Sequence, residues 1–153
     1  MLDSFETELN DILVDTFRSI LKVEEDTLKR TVIDLSISEL HLLEAVGKKR
    51  EQGRTISELA QELDITLPSV TIAINKLLKK GYVTKLKSGE DGRVVYVVLT
   101  KQGRKVDNAH RYFHRQMVRQ VSSQFSEGEK QILARGLAKL DEFFKKKSEE
   151  MER

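Results

Sequence analysis

The chain of 153 residues contains no cysteine and a single proline, Pro68. The absence of cysteine excludes disulfides, thiolate catalysis, thiolate zinc sites and thiol redox switches. With so few helix breakers, long helices are expected. No apolar run approaches the roughly 18 residues that suggest a membrane span. The first eight residues also lack the basic and apolar regions of a signal peptide. We therefore expect a cytoplasmic protein without a membrane partner.

The sequence also lacks a recognisable pattern of catalytic residues. The sequence has no glycine-rich phosphate loop and no defensible arrangement of serine, histidine and an acid. Glu24 and Glu25 are adjacent, and neighbouring side chains on a helix point about 100° apart, so they do not form a facing pair. We predict no enzymatic activity and no cofactor.

Positive charge is concentrated in one central block. Residues 66–105 contain nine basic and two acidic residues, a net charge of +7, whereas the remainder carries 18 basic and 23 acidic residues, a net charge of −5. Phosphate contacts and counterion release supply most non-specific affinity for nucleic acids. The block indicates a polyanion-binding surface, although a solvated basic face is the plain alternative.

Helical periodicity and capping patterns divide the chain into elements. A first helix is expected from Phe5 to about Glu25, and the charged tail 145–153 reads as a frayed end. Capping boxes at Ser36, Thr55 and Ser126 predict three further helix starts, and helical periodicity also runs from Thr100 to about Ser122. Thr66 caps another helix, with Pro68 in its first turn and Gly81 at its end.

Two β-branched stretches, 82–86 and 94–99, flank the polar segment Lys87–Arg93 and predict a hairpin. The short helix that begins at Thr55 and the helix capped by Thr66 are joined by a tight turn, which predicts a helix-turn-helix. The predicted fold is therefore mainly α with a small β-hairpin: a winged helix-turn-helix flanked by N- and C-terminal helices.

The second helix of such a pair normally lies in the DNA major groove. If Val70, Ile74, Leu77 and Leu78 face inward, short polar and apolar side chains remain outward. Asn75 can pair bidentately with adenine, and Ile72 either contacts a thymine methyl or is an ordinary surface residue. The predicted DNA-binding residues of this helix are Thr66, Pro68, Ser69, Thr71, Ile72, Asn75, Lys76 and Lys80.

The hairpin supplies a second arm, the wing, over about Thr84–Leu99. Its tip carries one arginine, Arg93, between glycines and strands. A narrow minor groove attracts an inserted arginine, and Asp91 is placed to orient the guanidinium. Alternatively, the tip is a solvent-exposed turn with incidental charges. We add Arg93 and Lys87 to the predicted DNA contacts.

Residues 35–104 resemble the winged-helix core of the MarR family of bacterial regulators. The resemblance is carried by five stretches, which are Thr55-Ile-Ser-Glu-Leu-Ala, Ser69-Val-Thr-x-x-Ile-Asn-Lys-Leu, Lys80-Gly-Tyr-Val, Asp91-Gly-Arg-Val and Leu99-Thr-x-x-Gly103. The family's wing usually has a second arginine in the middle of Asp-x-Arg or just after it. Here Gly92 stands in the middle, so one basic contact is missing.

Within the family, four stretches resemble the branch that represses fatty-acid synthesis genes in Firmicutes: 35–41, 65–71, 93–95 and 111–118. The resemblance implies a repressor whose corepressor is acyl carrier protein bearing a long acyl chain. It also implies a homodimer on a palindromic DNA operator.

The apolar stripes of the terminal helices lead to the same dimer, because a small core cannot bury them. We predict a helical dimerisation region of residues 1–34 and 101–153 around a DNA-binding lobe of residues 35–100. Two-fold symmetry would place the recognition helices about 34 Å apart, one turn of DNA.

An apolar effector would need a cavity near the hinge between the dimer helices and the lobe. The candidate lining residues are Phe17, Leu21, Leu40, Leu43, Ala109, His110, Phe113 and Met117. Filling a core is the simpler interpretation of these side chains.

The three histidines raise an alternative, a regulator that senses zinc or another small ligand. His110 and His114 are spaced i, i+4, which suits zinc. His41 is placed to join them, with Glu24, Glu25 and Asp26 as oxygen donors. Polar packing explains the histidines equally simply, and we predict no metal site.

A last alternative is a winged helix that binds protein instead of DNA. Acyl carrier protein is acidic, so binding this protein and binding DNA are compatible roles.

Overall fold

The computed structural model describes residues 3–31, 33–49, 52–87 and 94–151. Within them the order of elements is the predicted one, mainly α with one hairpin. The helices are α1 (Ser4–Lys29), α2 (Ile37–Gly47), α3 (Ile56–Leu63), α4 (Leu67–Lys79), α5 (Lys101–Ser122) and α6 (Glu127–Met151), and the strands are β1 (Val83–Lys87) and β2 (Val95–Leu99). Helix α6 continues as far as Met151, within the segment where a frayed end is expected, and α1 runs four residues further than predicted.

Short-range capping explains where the helices begin. The three predicted capping boxes are present, since the side chains of Ser36, Thr55 and Ser126 each accept from the backbone N–H three residues later. A fourth box, between Asp3 and Glu6, opens α1 and was not predicted. Each box satisfies backbone donors that the first turn of a helix leaves without partners.

The hairpin is antiparallel, with Val83 opposite Leu99 and Lys87 opposite Val95. Arg54, in the connection between α2 and α3, adds an isolated antiparallel bridge to Val97 of β2. Gly81 ends the α4 segment with a φ of +78°, a left-handed conformation that glycine adopts without strain.

The core lies among α2, α3, α4 and the hairpin. The largest fully buried side chains are Leu43, Leu59, Ile74, Leu77, Val46, Val70 and Val97. Gly103 in α5 packs directly on the chain before β1, because a Cβ there would lie 2.0 Å from the carbonyl oxygen of Tyr82. The residues predicted to face inward on α4 are confirmed, since Val70, Ile74 and Leu77 lie in the core and Leu78 is a partly buried neighbour of it.

The chain forms two compact units, residues 1–108 and residues 109–153. The first combines the winged helix with α1 and the start of α5, so its limits differ from the lobe and dimer region predicted above, which stay a prediction. In the second, large apolar side chains are exposed, namely Tyr112, Val118, Val121, Ile132, Leu133, Leu137, Phe143 and Phe144. None of the described helices combines the length and apolar character that a membrane span needs.

Candidate nucleic-acid interface

Helix α4 separates a buried face from an exposed one. Val70, Ile74 and Leu77 are fully buried, whereas Ile72 is 59% exposed. The other residues predicted to point outward from α4 are also exposed: Pro68, Ser69, Thr71, Asn75 and Lys76. The predicted division of the helix into two faces is therefore confirmed.

The hydroxyl groups at the start of α4 are engaged with the helix itself. Thr66 accepts from the backbone N–H of Ser69 at 3.3 Å, and the two hydroxyl oxygens lie 2.8 Å apart. Thr71 donates to the carbonyl oxygen of Leu67 at 2.9 Å. Because its proton is used inside the helix, Thr71 presents an acceptor to the outside.

The amide of Asn75 has a partner on the wing. The Lys85 ammonium, on β1, donates to Asn75 Oδ1 over 3.4 Å. An ammonium only donates, so the oxygen of Asn75 faces β1 and its NH₂ group is left for other acceptors. Bidentate pairing with adenine uses both the oxygen and the NH₂ group of the amide. Because the oxygen has two lone pairs, it can accept from Lys85 and from a base at the same time. Lys85 was not predicted, because its proximity to α4 depends on how the hairpin folds back.

Lys80, which is predicted to contact DNA, binds residues of its own chain in the structure. Its ammonium donates to the Glu39 carboxylate at 3.0 and 3.2 Å and to the carbonyl oxygen of Asp34 at 2.8 Å. The hydrogen bond that the ammonium donates to Glu39 raises the pKa of Lys80. Burial would raise the pKa of Glu39, but hydrogen bonds from the Ser36 backbone and from Lys80 outweigh it and lower that pKa. Both groups are charged at neutral pH, and a DNA contact of Lys80 stays a prediction.

Two further predicted contacts concern the wing. Lys87 is exposed at the end of β1. Arg93 lies outside the described residues, together with the rest of the wing tip, residues 88–93, so its contact with DNA stays a prediction.

An open depression of about 490 Å³ lies beside the exposed face of α4. It is lined by Ser36, Ser38, Glu39, Leu42, Leu63, Ile65, Ser69, Ile72, Ala73 and Lys76. The depression brings the first turn of α2 next to the part of α4 that carries Ser69, Ile72 and Lys76. The surface therefore combines apolar contact area with hydroxyl, carboxylate and ammonium groups.

The predicted effector residues are divided between the two units. In residues 1–108, Leu40 and Leu43 are buried in the core, Leu21 is partly buried and Phe17 is exposed. In residues 109–153, Ala109 is exposed, His110 is buried, and Phe113 and Met117 are partly buried. Packing is the observed role of Leu40 and Leu43, and the effector set as a whole stays a prediction.

Each unit contains a histidine with a close polar partner. In residues 1–108, His41 Nε2 lies 3.5 Å from the carboxylate of the buried Glu24. In residues 109–153, the Nε2 atoms of His110 and His114 are 2.9 Å apart. Glu25 and Asp26, the other suggested oxygen donors, both lie within 4 Å of the exposed Lys29 ammonium.

Three kinds of comparison agree on the family. The sequence profile of the MarR family matches residues 33–94. A crystal structure of Streptococcus pneumoniae FabT in complex with DNA superposes with a TM-score of 0.87 and 35% identity, covering 92% of this chain and 97% of that one. A Staphylococcus aureus MepR–DNA complex has the same fold, with a TM-score of 0.72 at 21% identity over 89% of this chain and 97% of that one.

Among curated proteins, the transcriptional regulator AdcR of Streptococcus pneumoniae is 32% identical over 93 residues, which are 59% of this chain and 64% of AdcR. An uncharacterised regulator of Bacillus subtilis, YhjH, is 26% identical over 60% of this chain and 51% of its own length. The matches thus span less than two thirds of these two relatives. All four named proteins are regulators and none is an enzyme, in agreement with the prediction from sequence. The match to FabT over nearly its whole length, together with the profile, shows that the chain belongs to the MarR family of winged-helix transcriptional regulators.

Proposed function

We propose that the chain is a homodimeric repressor that binds a palindromic operator through α4 and the wing. The observation that carries this proposal is the exposed face of α4. Ile72, Asn75 and Lys76 project from a helix whose opposite face is fixed in the core. A helix held in this way presents the mixture of apolar, amide and cationic groups that reads base edges in the major groove. The net +7 block around it supplies the phosphate contacts.

Exposed apolar residues on α1 support the dimer. Phe5, Ile12, Phe17 and Ile20 are between 42% and 69% exposed, and their spacing places them along the helix at intervals of three to seven residues. A stripe of this kind is stabilised when a second copy covers it. Two-fold pairing also repeats the recognition helix, which matches a palindrome with half-sites about one DNA turn apart.

The regulated genes in this proposal are those of fatty-acid synthesis, and the corepressor is acyl carrier protein with a long acyl chain. Two findings support it: the resemblance of four stretches to that branch of the family, and the 35% identity to FabT. The predicted effector residues, from Phe17 in α1 to Met117 in α5, are the side chains to test for an acyl contact. A cytoplasmic location is part of the same proposal.

The decisive experiment is selection of DNA from a random pool, with and without long-chain acyl carrier protein. We expect a palindrome in both selections and tighter binding with the acylated carrier, whereas carrier without an acyl chain should have no effect. Equal affinity for the selected sequence and for random DNA would refute the operator. A carrier that leaves the affinity unchanged would refute only the corepressor, and a pull-down without DNA then reports whether carrier binds at all.

Variants assign the contacts. Asn75→Ala should relax the preference at one base position of each half-site, while Arg93→Ala should weaken binding to every sequence and reduce the salt dependence. Lys145→Ala is a matched control for charge, since it removes one cation outside the basic block; its partner in the structure is Asp141, at 2.7 Å. If Lys145→Ala weakens binding as much as Arg93→Ala, the loss reflects net charge and not a wing contact.

A metal response is the second candidate, and two close pairs favour it, His41 with Glu24 and His110 with His114. The Nε2 atoms of His110 and His114 converge at 2.9 Å, and an i, i+4 pair on a helix is a common zinc-binding arrangement. Zinc titration by calorimetry tests it, with His114→Gln and His41→Gln as variants. A response requires a site tighter than micromolar that His114→Gln abolishes; weaker binding removes this candidate and leaves the acyl proposal intact.

A further inference from the structure

Arg54 occupies an unusual position between the helix-turn-helix and the wing. Its backbone N–H donates to the carbonyl oxygen of Val97 at 3.0 Å, and its own carbonyl oxygen accepts from the Val97 N–H at 2.8 Å. The connection between α2 and α3 is thereby attached to β2, the strand that returns from the wing tip. The residue is only 7% exposed.

The Arg54 guanidinium is held by the two helices that flank this connection. It donates to the carbonyl oxygen of Ala45, in the last turn of α2, and to that of Glu58 in α3, both at 3.3 Å, and it forms an ion pair with Glu62. The Ala45 carbonyl lies at the C-terminus of α2, where a cation is favoured, and it also accepts from the Lys48 backbone N–H at 3.4 Å. One planar side chain therefore joins α2 and α3, while its backbone holds β2.

The buried guanidinium has one carboxylate partner in this cluster, Glu62. Glu62 also pairs with the Lys48 ammonium at 2.7 Å. Burial would raise the pKa of Glu62, but hydrogen bonds from Lys48 and Arg54 lower it overall. Glu62 is thus ionised at neutral pH and compensates the buried guanidinium, a requirement for retaining a buried charge.

Gly53 is a second, independent sign that β2 docks here. Its φ is +71°, and a Cβ at this position would lie 2.6 Å from Val98 Cγ1 and 2.8 Å from the carbonyl oxygen of Val97. Only glycine allows the connection to approach β2 this closely. Gly53 and Arg54 together form what we name the wing anchor.

We infer that Arg54 is a positioning residue that fixes the wing relative to α2 and α3, and through them relative to α4. This inference rests on the proposed function, in which α4 and the wing tip bind one DNA half-site together. When the wing strands are already held in place, less conformational freedom is lost on binding DNA. Binding by α4 and binding by the wing are therefore cooperative. A wing released from its anchor contributes less, even though Arg93 itself is unchanged.

Two measurements test the inference on the full chain, well below its melting temperature. The first is hydrogen exchange at the Val97 N–H in Arg54→Met. We expect exchange to accelerate at least tenfold there, while the amides of α4 around Ile74 keep their protection. Arg54→Lys should behave like Arg54→Met, since an ammonium lacks the planar fork that reaches three acceptors. Lys48→Met is the control, because it removes the other partner of Glu62 and leaves every Arg54 bond in place.

The second measurement is the affinity for the selected operator in a cycle with Arg93→Ala. If Arg93→Ala costs about tenfold in the wild-type background, we expect about twofold in Arg54→Met and the full factor in Lys48→Met. Equal factors in all backgrounds, or unchanged exchange at Val97, would overturn the inference. If Arg93→Ala has no effect in the wild type, the wing contact of the proposed function is refuted, and the exchange result alone decides the role of Arg54.

Discussion

Two isoleucines of α4 provide a matched test of the interface. Ile74 is fully buried, and Ile72, two positions earlier on the same helix, is 59% exposed. Substituting either by alanine removes the same three carbons and changes helix propensity by the same few tenths of a kcal/mol. Any difference in stability between the variants therefore reports burial.

The expected magnitudes differ widely. Removing three buried carbons costs about 2.4 kcal/mol in transfer free energy, and the remaining cavity brings a typical loss to about 2–5 kcal/mol. For a chain of this size, Ile74→Ala should lower Tm by on the order of 10 °C. Ile72→Ala should change the free energy of unfolding by less than about 0.5 kcal/mol. Urea denaturation followed by circular dichroism measures the free energy of unfolding of each variant, and a thermal melt measures its Tm. All samples are compared at one fixed protein concentration.

DNA binding should show the opposite order. If Ile72 contacts a thymine methyl, Ile72→Ala loses about 0.8 kcal/mol, or about fourfold in affinity. The same loss should result when uracil replaces that thymine, and the two losses should not add. Two results would refute this reasoning. The first is that Ile72→Ala destabilises the protein as much as Ile74→Ala. The second is that Ile72→Ala weakens binding to the thymine operator and to the uracil operator by the same factor relative to the wild type.

Three further predictions follow from single contacts. Gly103→Ala should prevent stable folding of residues 1–108, because its Cβ would lie 2.0 Å from a carbonyl oxygen. A Cβ at Gly136 meets nothing within 4 Å, so Gly136→Ala should raise the free energy of unfolding by up to about 1 kcal/mol, and thermal melts compare the two variants. The hydrogen bond from the Lys49 ammonium, with that of the Thr55 backbone, lowers the pKa of Glu58 to about 2 from an ordinary 4.5. The resulting stability is present above pH 4.5 and is lost as the pH falls towards 2, so urea midpoints should drop less in Glu58→Gln than in the wild type. Lys80→Met should lower Tm, because it leaves the Glu39 carboxylate without its ammonium partner. If the predicted DNA contact of Lys80 exists, the variant should also reduce the slope of DNA affinity against salt by about one, whereas an unchanged slope would remove Lys80 from the phosphate contacts.

Local patterns were sufficient to predict much of the fold. The capping boxes at Ser36 and Thr55 and the apolar spacing of Val70, Ile74 and Leu77 depend on residues three or four positions apart. Such neighbours lie on one face of a helix whatever the rest of the chain does. The buried and exposed faces of α4 were therefore predictable, and that the exposed face reads DNA is the proposal built on them.

Contacts between distant parts of the sequence were not predictable in this way. Arg54 reads as an ordinary basic residue in a Gln-Gly-Arg turn, and only the docking of β2 buries it. The sequence pattern places Asn75 on the outward face of α4, but only the folding of the hairpin brings the Lys85 ammonium to 3.4 Å from its amide oxygen. Both contacts arise from tertiary structure, and both affect how the interface can be used.

The same distinction changes the meaning of the central basic block. A count of net charge treats its nine lysines and arginines as equivalent, yet salt dependence reports only those that neutralise phosphates. Lys80 lies inside the block in sequence but is bound to Glu39, 41 positions earlier. Lys76 is exposed on the outward face of α4, and Lys87 is exposed at the end of β1. Position in the sequence therefore gives an upper limit to the number of phosphate contacts, and the partner of each ammonium decides how many remain.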